Sequence, residues 1–166
     1  MASPRLSKGR HSRVGHVYSI TTVACGRRRL FTDHEAPRII LSEIETTDRL
    51  GLTASLAWVL MPDHLHWLFQ LKSGSLSAVM QQFKARTAQS INQARQRRGS
   101  VWQAGFHDHC VRDERSLGKI ARYLLDNPIR AGLVSDLADY PYRWCAWQVE
   151  GDLQAAADVV RAPDRG

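Results

Sequence analysis

Acidic side chains are missing from two long blocks of this chain. From Met1 to Arg29 there are seven Lys or Arg residues and no Asp or Glu; from His64 to His107 there are six more, again without an acid. Cysteine is scarce: Cys25, Cys110 and Cys145 are odd in number, widely spaced and form no CxxC pair. That argues against a disulfide framework or a thiolate zinc site and fits reduced thiols in the cytosol. No apolar run approaches the ~20 residues of a membrane span. The basic start, MASPRLSKGRHSRVG, lacks the apolar core of a signal peptide. Neither a P-loop nor a GxGxxG fingerprint is found, which removes nucleotide-driven chemistry and dinucleotide cofactors.

What is there is a chain of 166 residues, 43% hydrophobic, with a formal charge of +7. Its size suits one domain with an ordinary core. The positive charge is segregated, because residues 30–63 hold six acids against two bases and residues 108–166 hold ten against eight. Long acid-free basic blocks are what a polyanion requires, since neutralised phosphates release their condensed counterions. The plainer alternative is a basic protein with solvated faces.

Residues 1–15 read as a flexible basic arm, 16–148 as one folded domain, and 149–166 as a weakly patterned tail. Within the domain, HVYSITTVAC (16–25) is a β-branched strand. Residues 34–50 carry Ile39, Ile40, Ile44 and Thr47 at helical spacing, with Asp33 a candidate N-cap. Residues 52–61 and 64–71 form a hairpin around Pro62-Asp63. A helix follows, with Leu76, Val79, Met80, Phe83, Thr87 and Ile91 in one stripe. Phe106 to Arg112 is a fourth strand. Ser116 to Leu125 is a third helix, which Asn127-Pro128 stops or kinks. The order β-α-β-β-α-β-α predicts an α+β, ferredoxin-like four-stranded antiparallel sheet with helices on one face. Tyr140 to Gln148 is expected to pack on that domain.

MPDHLHWLFQL, Met61 to Leu71, is the informative stretch. Residues two apart share a strand face, so His64 and His66 point one way while Leu65, Trp67, Phe69 and Leu71 point to the helices. Two adjacent imidazoles make a claw for a divalent cation; for the HxH spacing alone, two half-exposed strand histidines with no ligand is the commoner outcome. A second pair, His107 and His109, lies on the fourth strand, and spacing does not separate the two candidates. In KIARYLLDNP, Tyr123 falls outside the apolar arc of Leu117, Ile120, Ala121, Leu124 and Leu125. Asn127 and Lys119 sit one turn to either side on the same flank. That arrangement offers a nucleophile, an oxygen ligand and a cation for phosphate; a surface tyrosine beside a helix-ending turn is an equal alternative.

The MPDHLHWLFQL hairpin, VWQAGFHDHCVRDE and RYLLDNPIRAGLV together resemble the REP-associated tyrosine transposases, a branch of the single-tyrosine HUH transposases. The resemblance spans roughly residues 16 to 147. It implies metal ligation by His64 and His66, with Asn127 as third ligand, and nucleophilic attack on DNA by Tyr123. By the same resemblance His107 and His109 are demoted. The implied activity is cleavage and rejoining of single-stranded DNA beside a repetitive extragenic palindrome (REP) hairpin, through a 5′-phosphotyrosine intermediate and with Mg²⁺ or Mn²⁺ as cofactor. The implied setting is cytoplasmic, at the nucleoid, with no membrane partner, as a monomer or homodimer.

The chemistry suits those parts. A free phenol has a pKa of about 10 and needs a nearby cation to attack phosphorus at neutral pH. Arg27, Arg28, Arg29, Lys84, Arg86, Arg95, Arg97, Arg98 and Lys119 are candidate DNA contacts. Trp102 is a candidate base-stacking platform, and a core position is its alternative. A non-catalytic ferredoxin-like module that binds DNA or RNA hairpins is the second reading. It wants aromatics on the open sheet face, where His64, His66 and Gln70 stand instead. A metallohydrolase using both histidine pairs lacks carboxylates to bridge two metals.

Overall fold

A computed structural model describes residues 11–147. Five antiparallel strands form one sheet: β1 (Val17–Val23), β2 (Thr53–Leu60), β3 (His64–Leu71), β4 (His107–Val111) and β5 (Arg143–Cys145), in the order β4-β1-β3-β2-β5. Three longer helices, α1 (Glu35–Arg49), α2 (Leu76–Ala94) and α3 (Leu117–Leu125), join them, and α4 (Asn127–Arg130) is a single turn. No helix among the described residues is long and apolar enough to cross a membrane.

Local chemistry sets the boundaries. Asp33 Oδ1 accepts the Ala36 N–H at 3.0 Å at the start of α1. Ser75 caps α2 by accepting the Ala78 N–H at 3.2 Å, satisfying a donor that the first helical turn leaves free. The β2–β3 hairpin turns at Pro62-Asp63, with the Met61 N–H bonded to the His64 carbonyl at 2.8 Å.

Alternation along β3 splits the molecule into two cores. Leu65, Trp67, Phe69 and Leu71 pack with Ile40 and Ile44 of α1 and with Val79, Met80 and Phe83 of α2. The opposite face is not open. Leu68 of β3, Val17 of β1 and Leu56, Ala57 and Val59 of β2 pack against Leu117, Ala121, Leu124 and Leu125 of α3. A bulge between Ser55 and Ala57 contributes, because the extra residue lets Leu56 and Ala57 both join that second core.

The antiparallel α+β sheet therefore stands, with two details corrected. Helices cover both faces, since α3 lies on the histidine side, and a fifth strand from the aromatic tail pairs with β2. The expected arm is also shorter. Ser12 accepts the Leu76 N–H at 2.9 Å, and Arg13 and Gly15 donate backbone N–H groups to Tyr18 Oη and the Leu71 carbonyl. Residues 1–10 of the arm and the tail from 148 lie outside the described residues.

Candidate functional site

His64 and His66 converge on one point. Their Nε2 atoms are 3.0 Å apart and their ring planes nearly perpendicular, with centroids 4.7 Å apart. Each ring is held from behind. His64 Nδ1 lies 2.6 Å from Asp63 Oδ1, and His66 Nδ1 lies 2.8 Å from Thr21 Oγ1, whose backbone is its cross-strand partner on β1. A carboxylate only accepts, so His64 Nδ1 donates to Asp63, and Nε2 is the ring atom turned toward His66. Burial above all, then the charges of His64 and Arg130, pushes the His66 pKa down to about 4, against a smaller upward pull from Asp63. That imidazole is neutral at pH 7, as a metal ligand must be.

The pair fits a small divalent cation. Two nitrogens bonded at about 2.1 Å and at right angles to each other stand about 3.0 Å apart, the separation found here. Backing of the remote ring nitrogen by carboxylate or hydroxyl is what orients metal-binding histidines. Among the described residues no group of three or more His, Cys, Asp or Glu side chains is placed to hold an ion. A third protein ligand would therefore be an amide or carbonyl oxygen.

Tyr123 stands on α3, 68% exposed. Proline explains its surroundings. Pro128 has no N–H to offer the Leu124 carbonyl, and α3 ends at Leu125. Two side chains satisfy carbonyls of the last turn. Asn127 Nδ2 donates to the Leu124 oxygen at 2.8 Å, and Arg130 Nη1 donates to the Tyr123 oxygen at 2.8 Å. The Arg130 guanidinium then lies over the Tyr123 ring, 3.9 Å from its centroid. The same positive charge acts on His66, so the arginine that covers Tyr123 is also within electrostatic reach of the claw. With its amide nitrogen bonded to the helix, Asn127 presents Oδ1 as the atom available to a ligand.

Other expected contacts fall elsewhere. Trp102 is 6% exposed. Its indole donates to Thr87 Oγ1 at 2.9 Å and its ring centroid lies 4.8 Å from that of Phe31, so it is a core residue and not a stacking platform. Lys84 Nζ donates to the Gln103 and Gly105 carbonyls at 2.5 and 2.6 Å, and burial lowers its pKa. It staples the loop before β4 and is not a free phosphate contact. Arg95 bonds Asp33 at 2.7 Å and the Leu30 carbonyl at 2.6 Å, and Arg86 faces Glu43 at 3.5 Å. Lys84 and Arg86 lie on α2 and Arg95 follows its last residue, across the sheet from the claw. Arg97 is half-buried beyond its end and Arg98 exposed. Arg27, Arg28 and Arg29 are exposed after β1, and Lys119 is exposed on α3.

His107 and His109 are exposed on edge strand β4, where their partners are Thr21 and Ser19. They share the claw's face, but β1 stands between, and among the described residues neither ring has a hydrogen-bond partner. A cavity of about 650 Å³ opens beside Thr21, with Arg13, Tyr18, Gln103 and Phe106 in its wall. Sequence reasoning missed Asp63, Thr21 and Arg130. Asp63 adjoins His64 and Arg130 lies in the Asn-Pro-x-Arg-Ala-Gly stretch, so both left a signal; Thr21 left none.

Comparison with known proteins decides the family. The family model described as Transposase IS200 like matches residues 12–127. The chain belongs to that family. The match takes in His64, His66, Tyr123 and Asn127 and stops short of Arg130. Among curated relatives of this IS200-like chain, a REP-associated tyrosine transposase of Escherichia coli strain K12 is 27% identical over 88 residues, 52% of this chain and 50% of that protein. One from Haemophilus influenzae is 29% identical over 99 residues, 53% of this chain and 56% of that protein. The matched stretch thus spans about half the length of the curated relatives. The fold is similar to that of a REP-associated tyrosine transposase solved bound to a REP hairpin. The TM-score is 0.68 at 22% identity, covering 82% of this chain and 81% of that one. A Deinococcus radiodurans transposase structure matches at TM-score 0.50 and 18% identity, over 71% of this chain and 95% of that one.

Proposed function

We propose that the protein is a metal-dependent transesterase of single-stranded DNA that cleaves and rejoins strands beside REP-type hairpins. The convergence of His64 and His66 Nε2 at 3.0 Å, each ring held from behind, carries the reading. The two histidines and Asn127 Oδ1 would hold Mg²⁺ or Mn²⁺. When bound, that ion supplies positive charge to the scissile phosphate and to the oxygens that exchange on it.

Tyr123 is the nucleophile. Its phenolic oxygen, after losing the proton, bonds to phosphorus while the bond from phosphorus to the 3′ oxygen breaks. The leaving oxygen takes up a proton as a 3′-OH, and the 5′ end remains as a phosphotyrosine. One phosphodiester is exchanged for another, so the reverse step needs no external energy. Lys119 and Arg27 to Arg29 contact the DNA backbone. Relatives named as REP-associated tyrosine transposases support the substrate class, and such a substrate puts the protein at the nucleoid.

The test is incubation with Mn²⁺ and a labelled single-stranded oligonucleotide carrying a hairpin from the source genome, resolved on a denaturing gel. A protein–DNA adduct made by wild type but not by Tyr123→Phe, and only with metal, is the expected result. Tight binding without adduct in either protein would make this a hairpin-binding module instead.

A further inference from the structure

Arg130 does more than finish a helix. Its guanidinium carries five N–H donors, one of which goes to the Tyr123 carbonyl at 2.8 Å. The side chain is exposed, and among the described residues it makes no other hydrogen bond and no ion pair. Its plane covers the Tyr123 ring at 3.9 Å, and its charge reaches His66. An exposed arginine stacked on a tyrosine and within electrostatic reach of a metal claw is suited to a phosphate, which its planar fork meets with two parallel bonds. We propose that Arg130 fixes the Tyr123 ring for attack and binds the scissile phosphate with its free N–H donors, an inference that rests on the transesterase reading above.

The competing role is structural, with the guanidinium serving only as a cap for α3. The two roles separate when charge is removed from the substrate instead of the protein. A methylphosphonate at the scissile position replaces one charged oxygen with methyl and leaves a phosphate-binding cation nothing to neutralise. Single-turnover adduct formation would be followed for wild type, Arg130→Gln and Arg130→Lys on phosphate and on methylphosphonate oligonucleotides. Hairpin affinity and thermal melting would be measured for each protein.

On phosphate, Arg130→Gln is expected to slow adduct formation by about 10²- to 10³-fold, the usual cost of losing one donor at a developing oxyanion. Arg130→Lys, which keeps charge without the fork, should fall between Gln and wild type. On methylphosphonate the three proteins should converge. Should Gln melt below the assay temperature, Lys carries the comparison, slowed on phosphate and equal to wild type on methylphosphonate. Equal slowing on both substrates, or none on either, would overturn the assignment while leaving the transesterase intact. Absence of any adduct from wild type would remove both.

Discussion

Replacing Asp63 with alanine tests the claw without touching a ligand. The Oδ1 to Nδ1 contact of 2.6 Å fixes the His64 ring and its proton, leaving Nε2 free to bind. Loss of such a backing group typically weakens metal affinity 10- to 100-fold, or about 1.4–2.7 kcal/mol. The backbone of Asp63 accepts the Ala24 N–H at 2.8 Å whatever the side chain, so the hairpin turn survives the substitution. Asp63→Asn divides the effect, because an amide oxygen still accepts from Nδ1–H but brings no charge. Mn²⁺ affinity, measured by titration calorimetry on metal-free protein, should fall in the order wild type, Asn, Ala. Affinity unchanged in Asp63→Ala but lost in His64→Ala would refute the argument that the carboxylate orients the ligand.

Thr21→Val removes the hydroxyl behind His66 and should also weaken Mn²⁺ binding in the same titration, with little change in melting temperature. Trp102→Ala should cost about 3–5 kcal/mol in denaturant unfolding and leave the hairpin affinity of the folded fraction unchanged; a selective loss of affinity would restore it as a stacking platform. Lys84→Met should destabilise by about 2 kcal/mol, since two carbonyls lose a charged donor, read by the same unfolding assay. For metal-free protein, the His66 pKa is lowered from 6.5 to about 4, so the unfolded chain binds the extra proton first. Stability should therefore be level above pH 6.5 and decline as pH falls toward 4, and His66→Asn should flatten that slope.

The sequence made the claw partly legible: a strand's period of two offered both His64–His66 and His107–His109, and the family resemblance of the surrounding stretches chose the first. His64 and His66 had to share a face, and Asp63 had to stand beside them. Thr21 could not be found that way, because it arrives from β1 through register. The helix side was half legible. Leu117, Ala121, Leu124 and Leu125 announce an apolar stripe without saying what it covers. One clue was available: Leu68 lies in the same alternating row as the histidines, and an apolar residue there calls for a cover. Trp102 misled because an indole in a basic, loop-like stretch looks like a platform until Thr87 is found beneath its N–H. Arg130 was in view within a recognised stretch, but its contact with Tyr123 depends on how Pro128 breaks the helix.

Three residues near the described C-terminal end carry a practical consequence. Arg143, Trp144 and Cys145 occupy the outer side of β2, and Trp147 closes the second core. The other rim of the sheet, β4, is guarded by His107, Asp108 and His109, polar groups that discourage pairing with a neighbouring chain. The β2 rim has no such guard: Leu56, Ala57, Val59 and Leu60 are apolar and buried. A recombinant fragment cut at residue 127, where the family match ends, would keep the claw and the tyrosine but bare that rim. Such a fragment would be sticky, self-associating through an uncovered strand, and a fragment has to include Trp147 to keep that cover.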